Sequence, residues 1–300
     1  MNVIRSLVAL VLLPAVALAQ DTYSVHLARP VKVGERFKVA ARVAFISKTS
    51  TELDKEPATE EEVNLAAKVS GELTIVAVNP KGMAKELTLK LDAAETFEDG
   101  ETAEIFGVGD LIALKHGNEK DEVTVNGEEP GDEQAELIDV LMKVAGDEEA
   151  TDDEAFGIET KVKVGEEWMA HKDVLAHEMD RQQIKGLKAS DLTAYAKLIE
   201  TTTVAGEPAL RVDCTMAFAN RKAHLRNLEE GMKAESVSAE LHTLLDVPVD
   251  PNSTATRAKS TMKFNVRTKG MIQDEEGQSV PVHVNVERRA AIDATETPIK

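Results

Sequence analysis

The same five residues occur twice in this chain, in "VKVGERF" at 31–37 and in "VKVGEEW" at 162–168, and an aromatic residue ends both stretches. Each copy carries a glycine, Gly34 or Gly165, at which the backbone can adopt a turn that a side chain would hinder. We therefore predict that each copy opens one half of the protein and that the two halves share one design.

Hydrophobic and polar residues alternate after the first copy, which is the pattern of strands that bury one face. The strand predicted in "ERFKVAARVAFIS" has five residues on one side: Phe37, Val39, Ala41, Val43 and Phe45. The next two predicted strands, "VNLAAKVSGELTIVAV" and "ELTLKLD", form a hairpin across the turn "NPKG" at 79–82. This half is therefore expected to be an antiparallel sheet.

The second half follows the same order of elements. Its strands "DLTAYAKLIETTTV" and "ALRVDCTMAF" meet across "AGEP", and three more are predicted in "ESVSAELHTLL", "AKSTMKFNVRT" and "SVPVHVNVERRAAI", the last two joined by a turn at 273–278. The predicted fold class is mainly β, with two related antiparallel β-rich halves, residues 20–150 and 151–300. We expect a curled sheet or half-barrel-like arrangement with one or two short helices.

Acidic residues are concentrated between Asp92 and Glu159, where 23 of them stand against three lysines. This charge repels nucleic acid and anionic lipid, so neither is expected as a partner. Two short strands are predicted in "FGVGDLIALKHG" and "DEVTVNGE", and a helix that ends near Gly146 is predicted in "GDEQAELIDVLMKVAG". The apolar face of this helix comprises Leu137, Val140, Leu141 and Val144. The charged run "DEEATDDEAFG" predicts a solvated linker between the halves.

The segment "HKDVLAHEMD" at 171–180 raises the question of a metal site, because it combines His171, His177, Glu178 and Asp180. Its pattern favours a strand and leaves a helix open. On a strand the two histidines would lie roughly 20 Å apart, whereas zinc bonds its ligands at about 2 Å. We therefore predict no metal site. No cofactor or catalytic residue is predicted either, since the chain has no G-x-S-x-G elbow and no glycine-rich phosphate loop.

The chain contains one cysteine, Cys214, and one tryptophan, Trp168. A single cysteine excludes an intramolecular disulfide, and the alternation around Cys214 predicts a buried small hydrophobic residue. The aromatic that ends each repeated stretch is expected to cover the end of its sheet. Trp168 is accordingly predicted to be a core or rim anchor rather than a platform for a ligand.

The first twenty residues, "MNVIRSLVALVLLPAVALAQ", have the three parts of a secretory signal. Arg5 supplies the positive charge, an apolar run follows, and Ala17 and Ala19 are the small residues of a cleavage site. The run is shorter than the roughly 20 residues of a membrane span, and Pro14 interrupts it. We predict a signal peptide at 1–19, cleavage after Ala19 and an exported protein, periplasmic or extracellular, without a transmembrane segment.

With both openings in view, the chain resembles a family of uncharacterised exported bacterial proteins. Members are built of two β-rich halves, and a half opens with Gly-acid-x-Trp or Gly-acid-x-Phe. The matching residues are Gly165, Glu166 and Trp168 in the second half and Gly34, Glu35 and Phe37 in the first. The resemblance implies an antiparallel β architecture and a location in the bacterial cell envelope, and it implies no assigned activity.

These observations favour an exported, non-enzymatic binding or envelope scaffold protein, whose partner is an unknown protein or an apolar small molecule. Three hypotheses make different structural predictions. A carrier of an apolar ligand such as lipid requires an apolar cavity lined by inward residues of the long strands. A scaffold requires a filled core and an exposed patch. A hydrolase, the least favoured, requires a cleft with convergent carboxylates or histidines of perturbed pKa.

Overall fold

The computed structural model describes residues 21–53, 57–117, 120–181, 184–220, 224–225, 228, 231–273 and 279–299. The predicted signal peptide and nearly all of the predicted turn at 273–278 lie outside these residues. The strands of the described chain are β1 Thr22–Tyr23, β2 Arg36–Leu53, β3 Thr59–Val78, β4 Ala84–Glu98, β5 Glu101–Ala103, β6 Leu111–Lys115, β7 Glu122–Val125, β8 Val162–Lys163, β9 Glu167–Met169, β10 Ile184–Lys185, β11 Leu192–Val204, β12 Glu207–Asn220, β13 His224–Leu225, β14 Lys233–Pro248, β15 Thr256–Gln273 and β16 Ser279–Pro298. The helices are α1 Asp132–Leu141, α2 Asp152–Phe156 and α3 Lys172–Arg181, with a 3₁₀ turn at Ala189–Asp191.

Most of these strands form one antiparallel sheet of 12 strands, in the spatial order β7-β6-β4-β3-β2-β16-β15-β14-β12-β11-β9, with β5 beside β4. Over the described residues this order has two ends, at β7 and β9, so the sheet is open. The predicted hairpins β3–β4 and β11–β12 are present, as is the pairing of β15 with β16. The mainly β, antiparallel fold class is therefore confirmed. No helix in the described ranges reaches the length and apolarity that crossing a bilayer needs.

Two separate hydrophobic cores lie along this sheet. The first core is built on β2, β3, β4 and β6 under α1, and it buries the five predicted inward residues of β2 to 7% exposure or less. The second core is built on β11, β12 and β14 under α2 and α3. Each half thus packs helices against its own stretch of sheet.

Each end of the chain packs into the core of the opposite half. On β16, Ala290, Ile292 and Ala294 pack into the first core, although the strand belongs to the second half in sequence. In the opposite direction, Val25 and Leu27 pack into the second core. They belong to the segment 24–35 between β1 and β2, which we call the N-terminal segment. Each core is therefore completed by a segment from the far end of the chain.

The acidic region differs from its prediction in where its helices lie. Helix α1 ends at Leu141 rather than near Gly146, and Met142 is already extended. The chain leaves the helix because it turns back along the sheet, where the amide of Ala145 donates to the carbonyl of Ala84 at 2.8 Å. The predicted linker contains α2, whose first turn is capped by Thr151, since its hydroxyl accepts the amide of Glu154 at 3.2 Å.

The strand favoured for "HKDVLAHEMD" is wrong, because this segment forms α3. Leu175 and Ala176 are buried in the second core, and Met179 packs against it. Residues four apart lie on one face of a helix, so Leu175 and Met179 share the buried side. The histidines and charged residues interrupt the period-two alternation that a strand would need. The segment forms a helix because its apolar residues pack against the second core.

The two copies of the repeated stretch form matching turns. Gly34 and Gly165 have positive φ values of 85° and 88°. In each turn the glutamate carboxylate accepts the amide of the lysine three residues earlier, at 3.0 and 2.9 Å. Each glycine amide donates to a strand residue, Ile75 of β3 or Leu198 of β11, and the amide of that residue donates to the glutamate carbonyl. The same set of bonds therefore anchors both openings, while the common origin of the halves stays a prediction.

Trp168 and Cys214 both lie in the second core, as predicted. The indole Nε1 of Trp168 donates to the carbonyl of Phe156 at 2.7 Å, so its polar atom is paired inside the core. Cys214 is 4% exposed, and burial raises the pKa of its thiol. A thiol in that state stays protonated and is a poor nucleophile.

Replacing Gly34 or Gly165 by alanine is expected to destabilise the protein by about 1–2 kcal/mol, because an L-residue pays that amount at positive φ. Packing adds no cost, since a Cβ at either position meets no heavy atom within 4 Å. Urea unfolding measures both variants. The control is Gly107→Ala, where a Cβ meets only ordinary contacts from 3.6 Å and the backbone lies outside the left-handed region. Equal costs for the control and the two test variants would contradict this account of the turns.

Candidate functional site

A cleft lies where the sheet passes from the first core to the second. Two adjoining cavities form it, with volumes of about 210 and about 270 Å³. Residues that line both are Arg29, Val31, Phe37, Met83 and Glu296. We call this pair of cavities the seam cleft.

The wall of the first cavity is apolar and comes from the long strands. Its strand residues are Phe37 and Val39 of β2, Leu73 and Ile75 of β3, and Leu87 and Leu89 of β4. Leu141 and Met142, at the end of α1, close the opposite side. These strand residues are buried and face the first core, so the cavity is an unfilled margin of that core.

The second cavity lies between the N-terminal segment and the second half. Leu245 and Val247 at the end of β14, and Thr256 and Ala258 at the start of β15, form its floor. The first residue of α2, Asp152, also lines it. This part of the cleft brings together residues that are distant in sequence.

Hydrogen bonds hold the N-terminal segment, which carries Arg29, on both sides of the seam cleft. The amide of Leu27 donates to Asp153 Oδ1 at 2.6 Å, and the amide of Val31 donates to the carbonyl of Gly82 at 2.8 Å. Gly82 is required here, because a Cβ on it would lie 2.7 Å from the Pro30 side chain. The segment therefore crosses the cleft in a defined position.

Arg29 is incompletely paired in this position. Its Nη2 donates to the carbonyl of Pro248. Its Nε and Nη1 are buried and have no hydrogen-bond partner within the described part of the chain. Burial lowers the pKa of the guanidinium, and the charges of Asp153 and Asp250 act in the opposite direction. The cleft thus contains buried cationic donors that protein atoms do not satisfy.

Two carboxyl groups complete the polar part of the cleft. Glu296 of β16 lies opposite Val39 on one neighbouring strand and opposite Thr256 on the other. Burial raises the pKa of Glu296, and a hydrogen bond from Thr256 opposes the rise. Burial also raises the pKa of Asp152, with Asp153 adding to the rise and Lys143 opposing it. Asp152 is nevertheless exposed to solvent, so it lies at the open side of the second cavity.

None of these three polar residues was predicted as a site residue from the sequence. The sequence does contain a signal for Glu296. This residue continues the alternation of Ala290, Ile292 and Ala294, which places a glutamate on a buried face of the strand. Arg29 lies outside a strand, and Asp152 lies in a run of acidic residues that looks uniformly solvated. For these two, only the folded chain shows the convergence.

The residues weighed for a metal site are spread around α3. His171 precedes the helix and His177 is exposed on it. Glu178 lies 3.6 Å from Arg181, and Asp180 accepts the amide of Gly186 at 3.2 Å. In the described ranges no three residues of the His, Cys, Asp and Glu types are placed to hold a metal ion.

Comparison with known proteins finds no matching family model and no matching curated protein. Among solved structures, the chain is similar to the outer membrane protein OprG from Pseudomonas aeruginosa, with 7% identity, a TM-score of 0.27 and coverage of 90% of this chain and 99% of that one. It is also similar to the secretin domain β-barrel of InvG from the Salmonella SPI-1 injectisome, with 9% identity, a TM-score of 0.16 and coverage of 89% and 63%. At these scores neither likeness supports an argument about this chain.

Replacing Glu296 by glutamine is expected to stabilise the protein at neutral pH by more than about 0.5 kcal/mol, the usual range of surface substitutions. The pKa of Glu296 is raised in the folded state, so its charge weakens the fold above that pKa and the penalty disappears as pH falls through it. The gain from glutamine should therefore shrink toward acidic pH. Urea unfolding across a pH series measures it, with exposed Glu52→Gln on β2 as the control. A gain that is independent of pH would contradict the burial of this charge.

Proposed function

We propose that this protein is an exported binding protein that holds a small amphipathic molecule in the seam cleft and performs no chemical step on it. The observation that carries the proposal is the meeting of an apolar wall with the buried, incompletely paired guanidinium of Arg29. Small-molecule sites are mostly apolar, contain a few placed polar groups and are usually formed before the ligand arrives.

The size of the cleft limits the ligand. Each cavity is smaller than the roughly 300–1,000 Å³ of typical small-molecule sites, and the two together fall in the lower part of that range. Elsewhere the first core is filled, with Leu65, Ile112 and Leu137 almost fully buried. The carrier hypothesis is therefore best supported for a compact ligand, rather than for a long lipid enclosed along the whole sheet.

The exported location belongs to the proposal as well. Its support is the predicted signal peptide at 1–19 and the resemblance to exported bacterial proteins. A binding protein in the periplasm or outside the cell meets ligands that are soluble enough to diffuse but gain from a shielded apolar site.

A hydrolase with carboxylate chemistry is the second candidate, and one observation favours it. Asp152 and Glu296 share the cleft, and burial raises the pKa of both. Carboxyl groups tuned in this way can act as general acids. The Glu296→Gln variant separates the two functions, because it would abolish acid catalysis by this residue and leave binding to the apolar wall intact.

Binding is tested with N-phenylnaphthylamine, a neutral apolar probe whose fluorescence rises in a dry site. Ala294 lines the first cavity, so Ala294→Phe is expected to fill it and to weaken probe binding by roughly tenfold or more, since overfilling a packed site costs about 1–3 kcal/mol. Ala84→Phe, at the start of β4, provides a second blocking variant.

The matched control is Ala40→Phe, which adds the same side chain on the exposed face of β2. Urea unfolding establishes that each variant is folded. Native mass spectrometry of the protein purified from its own envelope adds an independent readout, in which a co-purifying small molecule is expected. The proposal fails if the wild-type protein does not bind the probe, or if the control weakens binding as much as the two blocking variants.

A further inference from the structure

We propose that the ligand of the seam cleft carries an oxyanion, either a carboxylate or a phosphate, at one end of its apolar body, and that Arg29 binds this oxyanion. The inference rests on the proposed function, because it names the chemistry of the same ligand. It starts from the guanidinium donors that the protein leaves unused.

Arginine has five N–H donors, and three of them belong to Nε and Nη1. In Arg29 these two atoms are buried and unpaired, while Nη2 is held by the carbonyl of Pro248. A buried donor without an acceptor destabilises the protein, and more so when the group is charged. Protein atoms cover Nε and Nη1, so acceptor oxygens of a ligand would remove that cost once the surrounding side chains shift to admit them.

The neighbouring carboxylates do not serve as contact partners for Arg29. Asp153 accepts the amide of Leu27, and Asp250 accepts the amide and the side chain of Asn252 at 2.9 and 3.0 Å. Both act on Arg29 as charges at a distance, and its Nε and Nη1 have no hydrogen-bond partner within the described part of the chain. A contact counter-ion is therefore what the site lacks, and a ligand anion supplies one.

The other charged groups of the cleft do not oppose an anion as strongly as their number suggests. Burial raises the pKa of Asp152 and of Glu296, so both take up a proton more readily than in water. Lys143, exposed at the edge of the first cavity, adds a second positive charge. A cationic head group would instead meet Arg29 and Lys143 together.

The position of Arg29 also fixes how the ligand lies. Arg29 lines both cavities, whereas Leu73, Leu87 and Leu89 line the first alone. An oxyanion at Arg29 therefore sits where the cavities meet, and the apolar body extends along the strand wall toward α1. The arrangement separates a polar end from an apolar end within one cleft.

The experiment measures displacement of N-phenylnaphthylamine from the wild-type protein by four molecules with the same decyl chain: decanoate, decyl phosphate, decanol and decylammonium. At least one of the two anions is expected to compete about tenfold or more tightly than decanol, since a hydrogen bond to a charged group contributes about 1.5–3 kcal/mol. Decylammonium is expected to be the weakest. The stronger of the two anions identifies the head group as a carboxylate or a phosphate.

Arg29→Gln is expected to remove the preference for the anion over decanol, with both competitors measured against N-phenylnaphthylamine bound to that same variant. Arg42→Gln, on the exposed face of β2, is the matched control and should keep the preference. The second variant is Arg29→Lys, which keeps the charge near the Pro248 carbonyl. It should bind the anion severalfold more weakly than wild type, because lysine offers fewer donors in a different geometry.

Two results would overturn this inference while leaving the proposed function in place. One is equal competition by decanol and both anions in the wild-type protein. The other is an unchanged preference for the anion in both Arg29 variants. If the wild-type protein does not bind N-phenylnaphthylamine at all, the proposed function fails first and the inference fails with it.

Discussion

The pairing of β2 with β16 is the contact on which the rest of the structure depends. The ladder runs from Phe37 opposite Pro298 to Leu53 opposite Val282, almost the full length of both strands. Without it, β2 and β16 would each present a long unpaired edge, and such edges pair readily with other chains. The ladder also places the inward residues of β16 under the first core, so that the two halves fold as one sheet.

The seam cleft is a consequence of this way of joining two cores. Helix α1 covers the first core, and α2 and α3 cover the second. Neither set extends over the ends of β14, β15 and β16, where the N-terminal segment crosses instead. A single extended segment fills less space than a helix, so cavities remain beside it. The polar groups of the cleft come from that segment, from α2 and from β16, which is why they meet only in the folded protein.

Period-two alternation predicted most of the sheet because it reports directly which side chains face the core. The inward residues of β2 and the buried position of Cys214 were identified in this way, and they are buried. The pattern fails for α3, where few apolar residues remain and the contacts of Leu175 and Met179 with the second core decide the structure. It also stops short on β16, whose last residues through Pro298 look polar in sequence. They nevertheless pair with β2 and β15, and Glu296 therefore reaches the cleft.

The acidic run between the halves, 147–157, makes specific contacts, although its composition predicts a solvated linker. Glu154 pairs with Lys81 at 2.7 Å, and Asp147 pairs with Lys85 at 2.9 Å, so the run is fastened to the β3–β4 hairpin of the first half. Buried Asn79 adds a bond from its side-chain amide to the carbonyl of Gly146 at 2.7 Å.

These contacts also affect the cleft, through the turn of the hairpin. The fastened hairpin contains Gly82, whose carbonyl accepts the amide of Val31 and whose missing side chain admits Pro30. The acidic run thus braces the turn that positions the N-terminal segment, and through that segment it sets where Arg29 lies. Exposed ion pairs of this kind contribute little stability singly. Here they fix the position of one turn, because two of them act on it together with a buried hydrogen bond. Asp147 and Glu154 of this region thus help to hold the turn that positions the N-terminal segment.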